Sequence, residues 1–566
     1  MEIRRALTLL AVAALLAAGS ASAKSVCTGS CYVAPAGSGA LFLFSGHGWG
    51  HGVGMSQYGA YGYAQHGWTY AQILAHYYPG TKLGKTATTT IRVLLADQQK
   101  TLKISSAVPF TVTDGSGRAH TLAAGAFSFG TGLRLPVDGG PATGLTAPLT
   151  FTPGSAGPLT LGRAYRGQIT VDVVDGKLRA VNVLPLEQYL WGVVPAEMPS
   201  TWLPQALDAQ AIASRSYALA TRQLAAPFDV YSDTRSQMYL GIGSETPATT
   251  AAVNATAGRV VLFGGKVATT VFSSSSGGET SSSVDAWGGA PTPYLVSVSD
   301  PYDVISPFHN WGPVPVTALA LAKALHVTGT VADVTTTLNL SGRVSQLELT
   351  TTASLAPLPF QTAVGGGTVE SALGLRSTWF SVGVLALAPP APSLPIPYGS
   401  TVQLSGVIRG TSGVSIEQRP NASTWTPIGP VTAQPDGTVL LTEAPTITTD
   451  YRLATTQAAA AYVRVKVMPV VTLTPPAAPG AVELQGTIVP ALPGAPVQIQ
   501  ELNPTTLAWT PVATGAVDPS ATASTVPGAV GTFTVPLQLT PGTYRAVIAP
   551  GQGYSPGTSV PLTVTG

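Results

Sequence analysis

The sequence predicts a mixed α+β core followed by two all-β modules, and three observations carry that prediction. At 566 residues the chain exceeds the size at which one hydrophobic core stops growing, so several domains are expected. Charged residues make up 10%, against roughly 25% in an average soluble protein, and 62 glycines and 48 prolines favour turn-rich β structure over helical bundles or coiled coils. A Pro-rich run at 388–395 then splits the chain, and an internal repeat follows it. The net charge of +2 gives no field that would gather a polyanion, so no nucleic-acid partner is expected. After the leader, no run reaches the roughly 18 apolar residues of a bilayer span.

Residues 1–23 read as an export signal, with Arg4 and Arg5 ahead of the apolar stretch Ala6 to Gly19 and the small-residue cleavage site Ala21-Ser22-Ala23. Secretion is the expectation, with Lys24 as the first mature residue. The short segment 24–40 holds the only two cysteines, Cys27 and Cys31, which suit a local staple or no bond at all, and make a poor metal site.

The stretch Gly46-His47-Gly48-Trp49-Gly50-His51-Gly52-Val53-Gly54-Met55-Ser56-Gln57 follows. Glycine at alternate positions permits positive φ and close approach of a ligand or another strand. His47 and His51 have a helical metal spacing, but glycine at every second residue forbids a stable helix, so no metal is expected. A helix after Thr69 is predicted from the capping box Thr69/Gln72, the staple Trp68/Ile73 and the stop Pro79-Gly80.

Thr90 to Leu95 predicts a strand, and Val171 to Val181 a hairpin turning at Asp175-Gly176. Pro185 starts a helix with Leu186, Tyr189, Leu190 and Val193 on one face. A second helix runs from about Pro204, with Leu207, Ala211, Ser214 and Ala218 on one stripe and Gln210 and Arg215 elsewhere on its surface. Between them Glu197 is hemmed in by Pro195, Met198 and Pro199.

Beyond the linker 388–395, Val402-Gln403-Leu404-Ser405-Gly406 returns as Val482-Glu483-Leu484-Gln485-Gly486, Trp425-Thr426-Pro427 as Trp509-Thr510-Pro511, and Tyr451-Arg452 as Tyr544-Arg545. Short alternating runs between turn residues predict two immunoglobulin-like β-sandwiches, 396–468 and 469–566, serving as spacers or wall contacts.

The runs Val183 to Pro199, Gln205 to Ala218, Phe272 to Gly278 and Leu373 to Thr378, with the glycine-dense stretch, closely resemble the stage II sporulation protein D (SpoIID/LytB) family. The resemblance spans roughly 41–383 and implies a SpoIID-type domain at 41–387. It implies action on bacterial cell-wall peptidoglycan and a secreted or wall-associated location. Catalytic members are lytic transglycosylases that cut glycan strands between N-acetylmuramic acid and N-acetylglucosamine, and their Glu-Met-Pro glutamate corresponds to Glu197. Other members are wall-binding proteins that enhance a separate amidase. In the family the glycine-dense motif ends the domain; here it comes first, so the N-terminal segment must fold back onto the core. Some members hold zinc near the segment matching Ser232 to Tyr239, but this sequence has no Cys or His there. Neither a metal nor a cofactor is expected.

The residues themselves support the same role for Glu197. Protonating a glycosidic oxygen near neutral pH needs a carboxyl held neutral by burial, and Trp191, Met198 and Trp202 offer such surroundings. An ordinary hydrolase needs a second carboxylate within about 5 to 10 Å. Glu187, Asp208 and Asp233 are the nearest in sequence, and of these Glu187 and Asp208 read as solvated helix positions. A transglycosylase avoids that need because the substrate's 6-hydroxyl is the nucleophile. The competing reading makes Glu197 a helix cap. The candidate substrate-binding set is His51, Gln57, Gln210, Arg215, Thr234, Gln237, Tyr239, Ser274 and Ser275. Gln210 and Arg215 suit sugar hydroxyls or plain solvation, the Ser273 to Ser276 run a groove wall or a turn, and Tyr239 and Trp287 sugar stacking or core packing.

Overall fold

The computed structural model describes residues 24–565 except 88, 156, 353–359, 391–392, 478–479 and 520–527, so the expected export signal lies outside the described residues. Its central sheet has seven strands in the order 230–231, 90–99, 177–185, 168–174, 149–152, 110–113 and 119–122. The hairpin at its centre turns where the sequence places it. Val174 pairs with Lys177, and Asp175 and Gly176 both take positive φ, the geometry of the favoured two-residue turn. A four-stranded sheet (163–165, 159–161, 101–106 and 125–130) packs on this one around Ile104, Phe129, Phe151 and Val171.

Helices fill the space between that core and a second one. Helix α1 is Gln57–Gln65, α2 Tyr70–Tyr77, α3 Leu186–Glu197, α4 Pro204–Thr221, α5 Pro247–Ala255 and α6 Ser283–Trp287. The capping box of α2 forms, with Thr69 and Gln72 bonding each other's backbone. Helix α4 departs from the expected one-sided stripe. Ala211 and Ala218 face the sheet core, while Ala206, Ala209, Ile212 and Ala213 face the core built by α1 and α2. Burial on all sides explains its small residues, and it takes Gln210 and Arg215 out of solvent.

A five-stranded antiparallel sheet (310–317, 41–47, 380–387, 402–409 and 438–443) crosses the Pro-rich run. Strand 41–47 is apolar on both faces: Leu41 and Leu43 join a core with Leu404 and Tyr451, while Phe42 and Phe44 join one with Val334 and Leu347. Residues 24–40 dock on the same module, Tyr32 pairing with Ala458 and the Val26 N–H donating to Glu417 at 2.7 Å. The expected boundary at 388–395 is therefore corrected: 396–468 is built into the body that precedes it. Cys27 and Cys31 are joined by a disulfide.

The described residues of 470–564 form two facing antiparallel sheets around Leu484, Ile499, Phe533 and Tyr544. The sequence repeat becomes a repeated contact. Arg452 lies over the Trp425 ring at 4.1 Å, and Arg545 over Trp509 at 4.2 Å.

Candidate active site

The glycine-dense stretch folds back onto the core as an irregular ribbon. Trp49 pairs with Ser275, Val53 with Ser281, and Met55–Ser56 with Phe272–Ser273. On its other side the Gly50 N–H donates to the Arg376 carbonyl at 2.8 Å and the His47 N–H to that of Trp379 at 2.9 Å. Positive φ at Gly48, Gly50, Gly52 and Gly54 makes this path possible. At Gly48 a side chain would also run into the Ser275 and Ser276 backbone, 2.7 Å from where its Cβ would stand.

A buried polar hub fastens the ribbon. Asp303 accepts from the hydroxyls of Ser56 and Ser275 and from the backbone N–H groups of Ser276 and Gly277 at 2.8–3.0 Å, with the His309 Nδ1 at 3.1 Å. Asp300 accepts from Ser276 Oγ at 2.7 Å and from the Tyr77 hydroxyl at 2.9 Å. Burial, then the neighbouring Asp303, pushes the Asp300 carboxyl up to about 7.

In front of this hub lies a cleft of about 920 Å³. One side carries Trp49, His51 and Gln57; the other carries Thr234, Arg235, Ser236 and Met238. Ser273 and Ser274 line it too, along with Tyr217, Trp287 and Glu197. Glu197 is the only carboxylic acid among the described residues lining the cleft. As the last residue of α3 it sits at the helix's carbonyl end, where a negative charge is disfavoured. Its Oε1 accepts from the Met238 N–H at 2.8 Å. Gln57 lies beside the carboxyl, but its Nε2 makes no hydrogen bond of good geometry among the described residues, so the Met238 bond is the firm one. Burial raises the carboxyl above the ordinary glutamate range, and the bond from Met238 offsets this only in part. The reading of Glu197 as a cap at the start of the next helix does not hold: α4 opens on Leu203 and Pro204, with no side-chain cap.

His51 Nδ1 accepts from the Val53 N–H at 3.0 Å, and its ring meets Trp287 at 5.1 Å between centroids. Burial lowers its pKa to about 4, so it is neutral at ordinary pH. Trp287 and Trp49 are 54% and 43% exposed, leaving two aromatic faces open to a ligand at the rim.

His51, Gln57, Thr234 and Ser274 thus share the cleft with Glu197. Five other candidates stand behind it. Gln210 is buried and donates to Ser214 Oγ. Arg215 is buried in a two-pronged pair with Glu187 at 2.6 and 2.9 Å, which also corrects Glu187 as a solvated position. Gln237 donates to the Ser214 carbonyl, the Tyr239 hydroxyl to Asn182, and Ser275 to Asp303. Each is tied into the fold by such a bond, while Gln210 Oε1 and Gln237 Oε1 stay buried without a partner among the described residues. Asp208 is likewise buried, and burial raises it to about 6. The sequence reading missed Trp49, Tyr217 and Arg235. Trp49 had a signal, a large aromatic amid glycines, whereas nothing in the spacing of Tyr217 or Arg235 separates them from ordinary helix and turn residues.

Residues 174–263, which include Glu197 and the 234–239 wall, match the family described as Stage II sporulation protein, SpoIID. An uncharacterized protein of Brachyspira hyodysenteriae is 36% identical over 140 residues, 24% of this chain and 38% of the relative. The amidase enhancer of Bacillus subtilis is 36% identical over 114 residues, 20% of this chain and 15% of its own length. Stage II sporulation protein D of the same organism is 31% identical over 172 residues, 27% of this chain and 49% of its own. The chain thus spans less than half the length of each of these relatives.

Proposed function

We propose, from the premise that this chain belongs to the SpoIID/LytB family, that it has a cell-wall role as a secreted peptidoglycan lytic transglycosylase with Glu197 as its acid and base. The observation that carries the reading is the lone carboxyl: half-buried, raised in pKa and facing an aromatic-rimmed cleft that no second acid lines among the described residues. A hydrolase of the usual kind needs two carboxylates. With one, the economical chemistry is internal attack by the sugar.

Glu197 enters protonated and gives its proton to the bridging oxygen as the bond to C1 of N-acetylmuramic acid breaks. The carboxylate left behind then takes the proton of that sugar's 6-hydroxyl as its oxygen closes on C1. The glutamate is restored and the product is a 1,6-anhydro sugar. Met238 fixes one carboxyl oxygen and leaves the other to work on substrate. Neutral His51 and the Gln57 amide supply hydrogen-bonding groups without competing for the proton.

The relative named amidase enhancer favours a second reading, a non-catalytic wall-binding protein that enhances a separate amidase. Mass spectrometry of purified glycan strands after incubation decides between them. Anhydro-ended fragments support the transglycosylase, reducing ends alone indicate hydrolysis, and intact strands that nevertheless bind leave the second reading standing.

A further inference from the structure

A second cleft of about 690 Å³ lies on the far side of Trp49, lined by Phe308, Asn310, Trp311 and Arg376, and Trp49 forms a wall of both clefts. The two are joined through the backbone as well, by the Gly50 N–H to Arg376 carbonyl bond. The Arg376 guanidinium rests against the Trp49 ring at 5.0 Å and the Phe308 ring at 4.7 Å. Stacking fixes the plane of a guanidinium but leaves its N–H donors free at the edge. Among the described residues no carboxylate pairs with Arg376, whereas Arg166, Arg215 and Arg235 each have one.

A stacked cation without a counter-ion, on the wall of an open cleft, matches a planar anion. We propose that this second cleft is a carboxylate-accepting subsite of the glycan groove, with Arg376 reading an acidic group on the strand that runs over Trp49 from Glu197. The inference rests on the glycan reading above and adds to it a charge preference. A strand of alternating N-acetylglucosamine and N-acetylmuramic acid offers such a group from two sources: the lactyl carboxyl, free where no peptide is attached, and the carboxylates of an attached peptide.

The test measures binding of three ligands of matched sugar length to full-length Glu197→Gln protein, which turns them over too slowly to disturb a binding equilibrium: a neutral chito-oligosaccharide, a peptide-free glycan strand and a peptide-bearing strand. A charge-assisted hydrogen bond contributes about 1.5–3 kcal/mol, so an acidic strand should bind roughly 10- to 100-fold more tightly than the neutral oligomer. Preference for the peptide-free strand identifies the lactyl carboxyl as the group read; preference only for the peptide-bearing strand identifies the peptide. Adding Arg376→Gln should bring acidic and neutral ligands to within about twofold while neutral binding, which reports an intact groove, is kept. Equal binding of all three ligands before that substitution overturns the subsite alone. So does a preference that survives it. Binding of none overturns the glycan reading and this subsite with it. Should Arg376→Gln lose the neutral ligand too, raised salt on the unsubstituted Arg376 protein decides: the acidic preference must shrink with ionic strength, and an unchanged preference counts against the subsite.

Discussion

The backbone N–H of Met238 points at Oε1 of Glu197, 2.8 Å away and 41 positions along the chain. A backbone donor has no rotamer of its own, so the carboxyl is held by the fold rather than by a mobile partner. The bond ties the end of α3 to the wall opposite the glycine ribbon, which places the acid at the meeting of the two sides of the cleft.

Replacing Glu197 by Gln keeps the size and one acceptor oxygen while removing the proton. Release of anhydro fragments should fall by about 10² to 10⁴, with glycan binding within a few-fold of the original. Product mass spectrometry and equilibrium binding on the same preparation check both halves. Full activity in this variant would remove Glu197 from the chemistry.

The pH dependence of stability follows from the raised pKa of Glu197. Unfolded, the group titrates near 4.5; folded, it holds its proton to higher pH, so stability present below that value is lost as pH rises through the folded pKa. Glu197→Gln cannot ionise and should escape this loss. Melting curves from pH 4 to 8 should show the variant gaining on the original as pH rises. A constant difference across that range would contradict the raised pKa.

Legibility in the sequence differed by kind of feature. The hairpin turn at Asp175-Gly176 and the α2 capping box rest on neighbours a few positions apart, and both form. The glycine spacing at 46–54 pointed to close approach of a ligand or another strand, and other backbone does pack closely against it. Polar residues on α4 were misread because solvent exposure depends on both neighbouring layers. Only the fold reveals that a sheet core lies on one side and the α1–α2 core on the other. The Pro-rich run misled for a related reason: proline bars a central strand within the run, yet says nothing about whether 380–387 and 402–409 pair across it. The repeat, in contrast, was readable because each copy conserves both partners of one arginine–tryptophan stack.

Glu187 and Arg215 make a prediction opposite to the one their helix spacing suggests. Arg215 is fully buried, and Glu187 is the only carboxylate paired with it among the described residues. Glu187→Ala should leave that cation uncompensated and cost about 3 to 5 kcal/mol, read as a shift in urea midpoint. An exposed pair would cost about 1 kcal/mol or less. A shift of that smaller size would show that the backbone carbonyls of Val253 and Arg259 suffice to hold the guanidinium.

The last prediction concerns where the chain can be cut. Ending it at residue 389 removes strand 402–409 and bares the edge of strand 380–387, leaving Leu41, Leu43 and Leu385 without the apolar side chains they pack on. It also strips residues 24–40 of their partners Glu417 and Ala458. An exposed apolar strand edge is an aggregation site, so this shortened protein should be insoluble or melt without cooperativity. Ending the chain at residue 468 instead keeps that core whole and removes only the last two-sheet module, whose own core is separate. This second truncation should remain monodisperse on size exclusion and melt cooperatively. A soluble, cooperatively melting protein ending at 389 would show that the shared sheet contributes little, and would restore the Pro-rich run as a true boundary.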